Sequence, residues 1–573
     1  MDFKKKPMVD WYDPKQLAAT GIKTVVSTVF GNFADRREMQ AALDPGRGFY
    51  DYSDRTDIWL DFISDLGDGF NATYSVAHLL AKDQLELDGI QTKRGNILVM
   101  GGDQVYPTPE IDEYRNRLQG PYHAAFPKDN SDLDPPGLFV IPGNHDWYDG
   151  LTNFLKIFCQ GRSLGNWRTK QSRSYFAVKL PNHYWLIGID IQLNADIDVP
   201  QLNYFQNLAE KELKSDDKII LATAEPAWVY ESFDESNSSN KRLKFFINRI
   251  LKGETDDKTD PECYYRGKNK DIEITTILTG DLHHYSRYEE NVGSKEPRQL
   301  ITAGGGGAFM HTTHSLKEKI KPSEGFDATF QKAFPSKSES LSLNNKNLLF
   351  FIHGPWMVLI LGLVHALSFY FLLISGIQTE NYNIALSDPT GTTLDLLGIA
   401  ILTPSVILLN LLFCFGIYMF TDFKSGNFKT ANKISGAVHG LSHVFVFYLC
   451  LVYLPAFNSA NLTNVPFQPL ILFVEMWIVG GLLSGFIFGI YLWFSSRFLD
   501  NHITEASSSF KGEDFKNFIR IHISAKELTI YPVGIRSVVK NWKNVGDEKN
   551  PRFEGDEVKF ELIEAPIHIP KRP

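Results

Sequence analysis

Five short polar motifs in this sequence hold side chains that could bind metal ions. They contain carboxylate, amide and imidazole groups, which are ligands that divalent cations take in proteins. The motifs are Asp65-Leu66-Gly67, Gly102-Asp103-Gln104-Val105-Tyr106, Gly143-Asn144-His145-Asp146, Ala224-Glu225-Pro226 and Gly280-Asp281-Leu282-His283. Their content and order predict a two-metal hydrolytic centre.

Each motif follows an apolar run that is typical of a buried strand and is bounded by Gly or Asp. The runs are Ile58–Ile63, Ile97–Met100, Leu138–Ile141, Ile219–Thr223 and Ile274–Leu278. Strand ends gather on one rim of a sheet, where a rigid scaffold holds side chains in place. We therefore expect the five motifs to meet.

The segments between these runs indicate the fold class. Helical patterns cover Asn71–Leu85 and Pro200–Leu213, while Ser174–Lys179 and His183–Ile189 are predicted as paired strands. Strands that alternate with helices, together with hairpins, predict a layered α/β domain around a central sheet sandwich.

The spelling and order of the motifs resemble the calcineurin-like metallophosphoesterase superfamily, and within it the purple-acid-phosphatase branch. That branch has the pattern DxG, GDxxY, GNH(D/E), a late HxP and GHxH. The resemblance covers roughly Asp57 to His314, and the GNHD block is its most specific part. It implies a four-layer α-β-β-α sandwich and a metal-dependent phosphoric ester hydrolase in which a hydroxide bridging two divalent ions attacks phosphorus.

The resemblance also implies a role for each matching ligand. Asp103 matches the carboxylate that bridges the two metals, and Asp65 and His283 match ligands of the first metal. Tyr106 matches the phenolate ligand of the purple acid phosphatases, with packing ahead of the following proline as the alternative. Asn144 matches the amide ligand of the second metal.

The sequence departs from the family pattern at three ligand positions. Gly67 and Ala224 stand where the family has histidines, and Asp281 replaces the first histidine of GHxH. Glu225 is offset by one residue, so in a strand it would face away. It is a metal ligand if the strand has already ended, or otherwise part of a salt bridge. Because Asp281 and Glu225 would make the site rich in carboxylates, Mn²⁺, Mg²⁺ or Fe²⁺ is preferred over Zn²⁺.

His145 matches the catalytic histidine of the family, which meets the phosphate and the leaving group, and Asp146 is expected to orient it. An imidazole in this place can protonate the departing oxygen or donate to the developing charge. Asn144 and His145 are the first candidates for substrate contact. His284 and His311 are further candidates, with a role in the core or at the surface as the alternative.

The second half of the chain is predicted to enter a membrane. Four segments each supply twenty or more mostly apolar residues, about the length that a 30 Å hydrocarbon core requires. The segments are Leu348–Ile377, Leu394–Phe420, Ser435–Phe457 and Leu470–Phe494. The predicted domains are a catalytic domain with an N-terminal extension (1–320), a linker (321–347), four transmembrane helices (348–494) and a cytoplasmic β-rich C-terminal element (495–573).

Loop charge predicts the orientation of these segments. The connection Thr421–Lys433 carries three lysines, whereas Gln378–Thr393 and Asn458–Pro469 contain no Lys or Arg. By the positive-inside rule, the catalytic domain and the C-terminus of this multi-pass membrane protein are cytoplasmic. His439 and His443 lie one helical turn apart in the third segment, where they could hold haem or a metal or bond neighbouring helices.

Two function classes follow. The first is a membrane-anchored phosphoesterase acting on a phosphomonoester, phosphodiester or pyrophosphate, with a small phosphorylated molecule or a lipid as substrate. The second is a degenerate phosphoesterase domain that regulates or scaffolds a membrane protein. Ala224 favours the second class, while intact Asp103 and His145 favour the first. A net charge of −9 argues against a nucleic-acid partner.

Overall fold

The computed structural model describes residues 1–31, 37, 48–191, 197–234, 237–253, 272–291, 296–321, 327–377, 397–421, 428–461, 468–547 and 550–571. The chain forms two compact units. The α/β unit contains residues 1–9, 19–338 and 511–573, and the helical unit contains residues 10–18 and 339–510.

Two large mixed sheets form the α/β unit. In spatial order, the described strands of the first sheet are Tyr50–Asp51, Phe176–Lys179, Tyr184–Gly188, Lys218–Ala222, Glu273–Thr279, Arg298–Ala303, Tyr285–Glu290, Ala328–Phe334 and Lys319–Ile320. Those of the second are Glu561–Leu562, Glu527–Ile535, Lys516–Ile523, Ile58–Ile63, Ile97–Met100, Gly137–Val140, Trp167–Thr169 and Ser163–Leu164, and Ile567–Pro570 also pairs with Glu527–Ile535. Two small hairpins join Gln84–Leu87 to Ile90–Lys93 and Lys543–Asn544 to Phe553–Glu554. The prediction of an α/β domain with two central sheets is confirmed.

The five predicted strand runs match observed strands to within one residue at either end. Three of them are neighbouring parallel strands of the second sheet, and two are neighbouring parallel strands of the first. The motifs therefore approach one another from both sheets.

The helices of the α/β unit cover apolar faces of the sheets. They lie at Phe70–Ala81, Ile111–Glu113, Gly120–Ala125, Thr152–Phe158, Val199–Lys211, Ala227–Phe233 and Ser239–Phe245, with π-helical turns at Tyr114–Gln119 and Phe246–Leu251 and a 3-10 turn at Asp146–Asp149. The predicted helix Asn71–Leu85 ends early, because Lys82 is extended and a new strand begins at Gln84.

Alternation along Ile58–Ile63 divides its side chains between two cores. Leu60 and Phe62 pack with side chains of both sheets. Trp59 and Ile63 pack on the opposite side with helix Phe70–Ala81. A third core lies between the first sheet and helix Val199–Lys211. This layering holds the strand ends in place.

The tail of the chain belongs to the second sheet. Lys516–Ile523 pairs antiparallel with Ile58–Ile63, with Ile519 opposite Phe62 and Ile523 opposite Ile58. The tail thus supplies the neighbour of the strand that leads to Asp65, and in the sequence the residues of the helical unit come between strands of one sheet.

A buried ion pair joins the tail to this strand. Arg520 Nε lies 2.7 Å from Asp61 Oδ1 and its Nη2 lies 3.1 Å from Oδ2, and both side chains are buried. Breaking such a pair leaves an uncompensated buried charge. Arg520→Met is therefore expected to lower the free energy of unfolding by about 3–5 kcal/mol, measured by urea unfolding of the purified protein.

The matched control is Arg115→Met, because Arg115 pairs with Asp112 at 2.9 Å with both side chains exposed. An exposed pair contributes about 1 kcal/mol or less. Equal losses in the two variants would show that the Arg520 pair does not stabilise the sheet.

The helical unit contains the apolar segments. Its helices are Phe350–His353, Pro355–Ile377, Pro404–Met419, Lys429–Asn461, Gln468–Phe498 and Ile503–Ser509, with a 3-10 turn at Asn345–Leu349. Helices Pro14–Gly31 and Lys337–Asn344 each contain a boundary between the units.

Three helices in the described ranges are long and apolar enough to cross a membrane: Pro355–Ser375, Lys429–Asn458 and Gln468–Phe498, with mean hydropathies of 2.4, 1.8 and 2.1. Three of the four predicted spans are thus confirmed as candidates. The remaining one contains Pro404–Met419, a shorter helix of 16 residues, and residues 394–396 of that prediction lie outside the described residues. The first span begins at Pro355 rather than Leu348, because proline has no N–H for a preceding turn.

Buried polar side chains of the helical unit bond one another. His439 Nε2 lies 3.0 Å from His443 Nε2 within one helix. Asn458 Nδ2 donates to Glu475 Oε2 at 2.6 Å between two helices. Only the second contact joins two helices, and the role of the histidine pair stays a prediction.

Candidate metal centre

Sharp turns at the strand ends bring the motifs together. Asp65, Asp103 and Asp281 adopt the left-handed backbone region, with φ values of 58°, 47° and 66°. Asp tolerates this region better than most residues. At Gly280 an added Cβ would lie 1.8 Å from Ser64 Oγ, so only glycine lets the last motif approach the first.

Four predicted metal ligands lie together, with three of them around the hydroxyl of the fourth. Tyr106 Oη lies 2.9 Å from Asp65 Oδ1, 3.0 Å from Asp103 Oδ2 and 3.0 Å from His283 Nε2. All four side chains are buried. The structure thus brings together side chains from three of the five motifs.

This arrangement has fewer protons than acceptors. His283 Nδ1 lies 2.8 Å from the Phe309 carbonyl oxygen. Its N–H donates there, so Nε2 carries a lone pair in the neutral ring. When Asp65 and Asp103 are both ionised, the Tyr106 hydroxyl has one proton for three acceptors, and two of the three contacts lack a proton.

Charge on the two carboxyls is also poorly compensated. Burial raises the pKa of Asp65 and of Asp103 well above the ordinary value, and repulsion from neighbouring carboxylates, Asp281 among them, adds to the shift. A divalent cation would supply the missing positive charge. Ligands about 2.1 Å from one octahedral ion lie about 3 Å apart, so these four side chains fit one cation.

Without the Tyr106 oxygen, the candidate ligand atoms of the motifs lie farther apart. In the described part of the chain, one group of three such residues has ligand atoms all within 4.8 Å of one another: His183, Asp216 and Asp217. That group lies largely exposed and away from the motifs. In the predicted set the phenol oxygen stands between the other ligand atoms, and Asp65 Oδ1 is 3.7 Å from His283 Nε2.

The position predicted for a second metal, beside these four side chains, has fewer donor atoms than the first. Ala224 is buried, and a Cβ added to Gly102 would meet its methyl group at 3.0 Å, so Ala224 faces the turn before Asp103. Asn144 Oδ1 is buried and, among the described residues, has no hydrogen-bond partner. Asp103 Oδ1 accepts the backbone N–H of His145 at 2.8 Å.

Tyr230 lies beside Asp281 and was not predicted from the sequence. Its hydroxyl donates to Asp281 Oδ2. The backbone N–H of Asp281 donates to Asp65 Oδ2 at 2.9 Å. Tyr230 lies in helix Ala227–Phe233, directly after the motif that contains Ala224. Its position one helical turn beyond that motif was the available signal.

The His145 ring lies beside the ligands without being one of the four. Its Nδ1 is 2.9 Å from the Pro107 carbonyl oxygen, and its ring centroid is 4.5 Å from that of Tyr106. Burial lowers the pKa of His145 to about 4. At neutral pH the free protein therefore holds a neutral imidazole whose Nδ1–H donates to Pro107.

Asp146 positions His145 through the backbone of the loop. Its carboxylate accepts the N–H of Gly143 at 2.9 Å, the N–H of Gln104 at 3.1 Å and the hydroxyl of Tyr114 at 2.5 Å. These bonds join the third motif to the second, and they fix the backbone position from which the His145 side chain projects.

Glu225 lies in the turn after strand Lys218–Ala222, so the strand has ended before it. Burial raises the pKa of Glu225 to about 7, with Asp281 adding to the shift and a Ser239 hydrogen bond opposing it. Glu225 is therefore near Asp281. Its role as a ligand stays a prediction.

His284 and His311 lie beneath the ligand layer. The His311 ring stacks on His283 at 4.1 Å, and its Nδ1 accepts the His283 backbone N–H at 3.2 Å. Both His284 and His311 are almost fully buried. Their predicted contact with substrate stays a prediction.

A lysine side chain from the tail of the chain also lies near these residues. Lys516 is fully buried, and its Nζ donates to the Ala308 carbonyl oxygen at 2.5 Å. Burial lowers the pKa of Lys516 to about 8, and attraction from Asp68 opposes the shift. Nothing in the local sequence indicated this role, because the tail lies more than 200 residues beyond the last motif.

Comparisons with known proteins give little further information. No protein-family model and no curated protein sequence matches the chain. A solved structure of a purple acid phosphatase from yellow lupin (Lupinus luteus) seeds is similar, with a TM-score of 0.30 and 10% identity over 48% of each chain. The chain thus spans about half the length of that protein. A similarity at this level gives no argument about activity.

Proposed function

We propose that this chain is a membrane-anchored, metal-dependent phosphoric ester hydrolase. The observation that carries the proposal is the set of three acceptor atoms around Tyr106 Oη, which share one hydroxyl proton when Asp65 and Asp103 are ionised. The resemblance of the motifs to the purple-acid-phosphatase branch agrees with this chemistry.

Burial separates the site into two layers. Asp65, Asp103, Tyr106 and His283 form a buried floor, which we call the ligand floor. Asn144, His145, Asp281 and Tyr230 are partly exposed and form its rim. A phosphate ester would approach from the rim, with its phosphoryl group directed at the floor.

The ligand floor would hold a divalent cation such as Mn²⁺, Fe²⁺, Mg²⁺ or Zn²⁺. When bound, the cation supplies positive charge for the phosphoryl oxygens and acidifies water. The protein supplies the geometry. Phe309 fixes the tautomer of His283, as a carbonyl behind a metal-binding histidine commonly does.

His145 would act on the leaving group. Because Nδ1 is bonded to Pro107, proton exchange with the substrate goes through Nε2. An anionic phosphate beside the ring raises the imidazole pKa and favours the protonated form. That form can donate its Nε2 proton to the ester oxygen as the bond to phosphorus breaks.

A regulatory or scaffolding domain is the second candidate, and Ala224 is the observation that favours it. The two functions are separated by an assay of the purified protein on phosphomonoesters, phosphodiesters and pyrophosphates, with Asp103→Asn as the matched inactive variant. Metal-dependent turnover that this variant loses supports the enzyme. Equal rates in both proteins support the second candidate.

We also propose four membrane crossings, with helix Pro404–Met419 in the second of them in chain order. Residues 338 and 511 both belong to the α/β unit, so the intervening chain leaves and rejoins one folded unit. Such a chain crosses a membrane an even number of times. The three long helices therefore need a further crossing, and Pro404–Met419 is the apolar helix that remains in the described part.

The lysines of the middle connection support a cytoplasmic location for the α/β unit. A substrate reached from there is a soluble nucleotide or phosphometabolite, or the headgroup of an inner-leaflet lipid.

This topology predicts which single cysteines a membrane-impermeant thiol reagent labels on intact cells. With Cys159, Cys263, Cys414 and Cys450 replaced by serine, Ser459→Cys near the end of helix Lys429–Asn461 is expected to be labelled and Ser425→Cys to be protected. Ser425 lies outside the described residues. Opening the cells should expose Ser425→Cys as well. The reverse pattern on intact cells would place the chemistry outside.

A further inference from the structure

We propose that this centre holds one metal ion rather than two, and that the Asp281–Tyr230 pair takes the place of the second. The inference rests on the proposed function, in which the ligand floor binds a divalent cation. It departs from the two-ion expectation raised by the motifs.

Few donor atoms lie beside the ligand floor. Ala224 offers none, although its methyl group faces the turn before Asp103. Asn144 Oδ1 is buried without a partner in the described residues and offers one neutral donor. A divalent ion takes four or more ligands in proteins. Asn144, the shared Asp103 and the second oxygen of Asp281 supply at most three, because Glu225 is hydrogen-bonded to Ser239.

One oxygen of Asp281 and the second oxygen of Asp103 are already bonded to protein hydrogens. The Tyr230 hydroxyl donates to Asp281 Oδ2, and the His145 backbone N–H donates to Asp103 Oδ1. A cation at this place would have to displace the phenol proton and compete with the backbone. The floor shows the opposite condition, since its acceptors outnumber its protons.

The number of ions determines the class of substrate. One divalent ion among Asp65, Asp103 and Asp281 leaves the site with a net negative charge when all three are ionised. A doubly charged phosphomonoester is then repelled more strongly than a singly charged phosphodiester. Lys516 lies behind the floor and bonds Ala308, so it is not placed to bind the substrate. We therefore expect phosphodiesters to be the preferred substrates.

The test counts metal ions. Full-length protein in detergent is stripped with chelator, loaded with Mn²⁺ and freed of excess ion. Elemental mass spectrometry then gives Mn²⁺ per chain, and electron paramagnetic resonance separates isolated ions from coupled pairs. We expect one uncoupled ion per chain, retained in Asp281→Asn and lost in Asp103→Asn.

The matched control is a variant that is expected to bind a second metal ion. Ala224→His with Asp281→His supplies two imidazoles beside the floor, so this double variant is expected to approach two coupled ions per chain. Two ions in the unaltered protein, or the loss of one ion in Asp281→Asn, would overturn the inference while leaving the proposed function intact. No ion and no hydrolysis would overturn both.

The substrate class is read from kcat/KM for bis(p-nitrophenyl) phosphate and p-nitrophenyl phosphate at equal Mn²⁺. We expect the diester to be favoured by about tenfold or more, the size of one unscreened charge at short range. A preference for the monoester would overturn the assignment of substrate class.

Discussion

Asp103→Asn is expected to abolish hydrolysis of phosphate esters and to remove the bound metal. Asp103 Oδ2 contributes one of the four ligand atoms, and the side chain is 2% exposed. The asparagine amide has no negative charge. If its NH₂ group takes the position of Asp103 Oδ2, its hydrogens point toward the cation. Loss of one transition-state contact already costs about 10²–10³ in rate, and loss of the metal adds to it.

The measurement is turnover together with metal content on the same preparation. Asp83→Asn is the control, because Asp83 is exposed and pairs with Arg94 at the surface. It should keep both the rate and the metal. Full metal-dependent turnover in Asp103→Asn would contradict the proposed function.

His145→Ala is expected to lose about 10²–10⁴ in kcat while keeping its metal content. The reason lies in which atoms of His145 contact the floor. Its backbone N–H bonds Asp103 Oδ1, and alanine retains that bond. Only the imidazole, which is held by Pro107 and acts on the leaving group, is removed.

The choice of substrate sharpens this experiment. An ester with a poor leaving group needs protonation as it departs, so it should show the full loss, whereas a nitrophenyl ester should show a smaller one. His183→Ala, at an exposed histidine outside the motifs, serves as the control. A loss below about tenfold with the poor leaving group, or loss of metal, would contradict the assigned role.

The strands of the α/β unit were predictable because their information is local. Ile58–Ile63 and Ile97–Met100 have the predicted bounds, since continuous apolar runs closed by Gly or Asp can hardly form anything else in a buried sheet. The apolar helices were predictable for the same reason. Their ends were less so, as the start at Pro355 shows.

The ligand floor was predicted only in part. Asp65, Asp103, Tyr106 and His283 were predicted from motif spelling. They follow three strands, since Asp103 and Tyr106 share a motif. Which oxygen meets which nitrogen, and how many protons they share, depends on backbone turns at positive φ that no short pattern specifies.

The sequence by itself determined the strand runs, the apolar segments and the four side chains that we propose as floor ligands. The tertiary structure decided that the tail belongs to the same sheet, because Ile519 pairs with Phe62 across more than 450 residues. It also decided that Lys516 stands behind the floor and that Tyr230 bonds Asp281. Such contacts join residues that are distant in the chain, and only the packing of the two sheets brings them within hydrogen-bond distance.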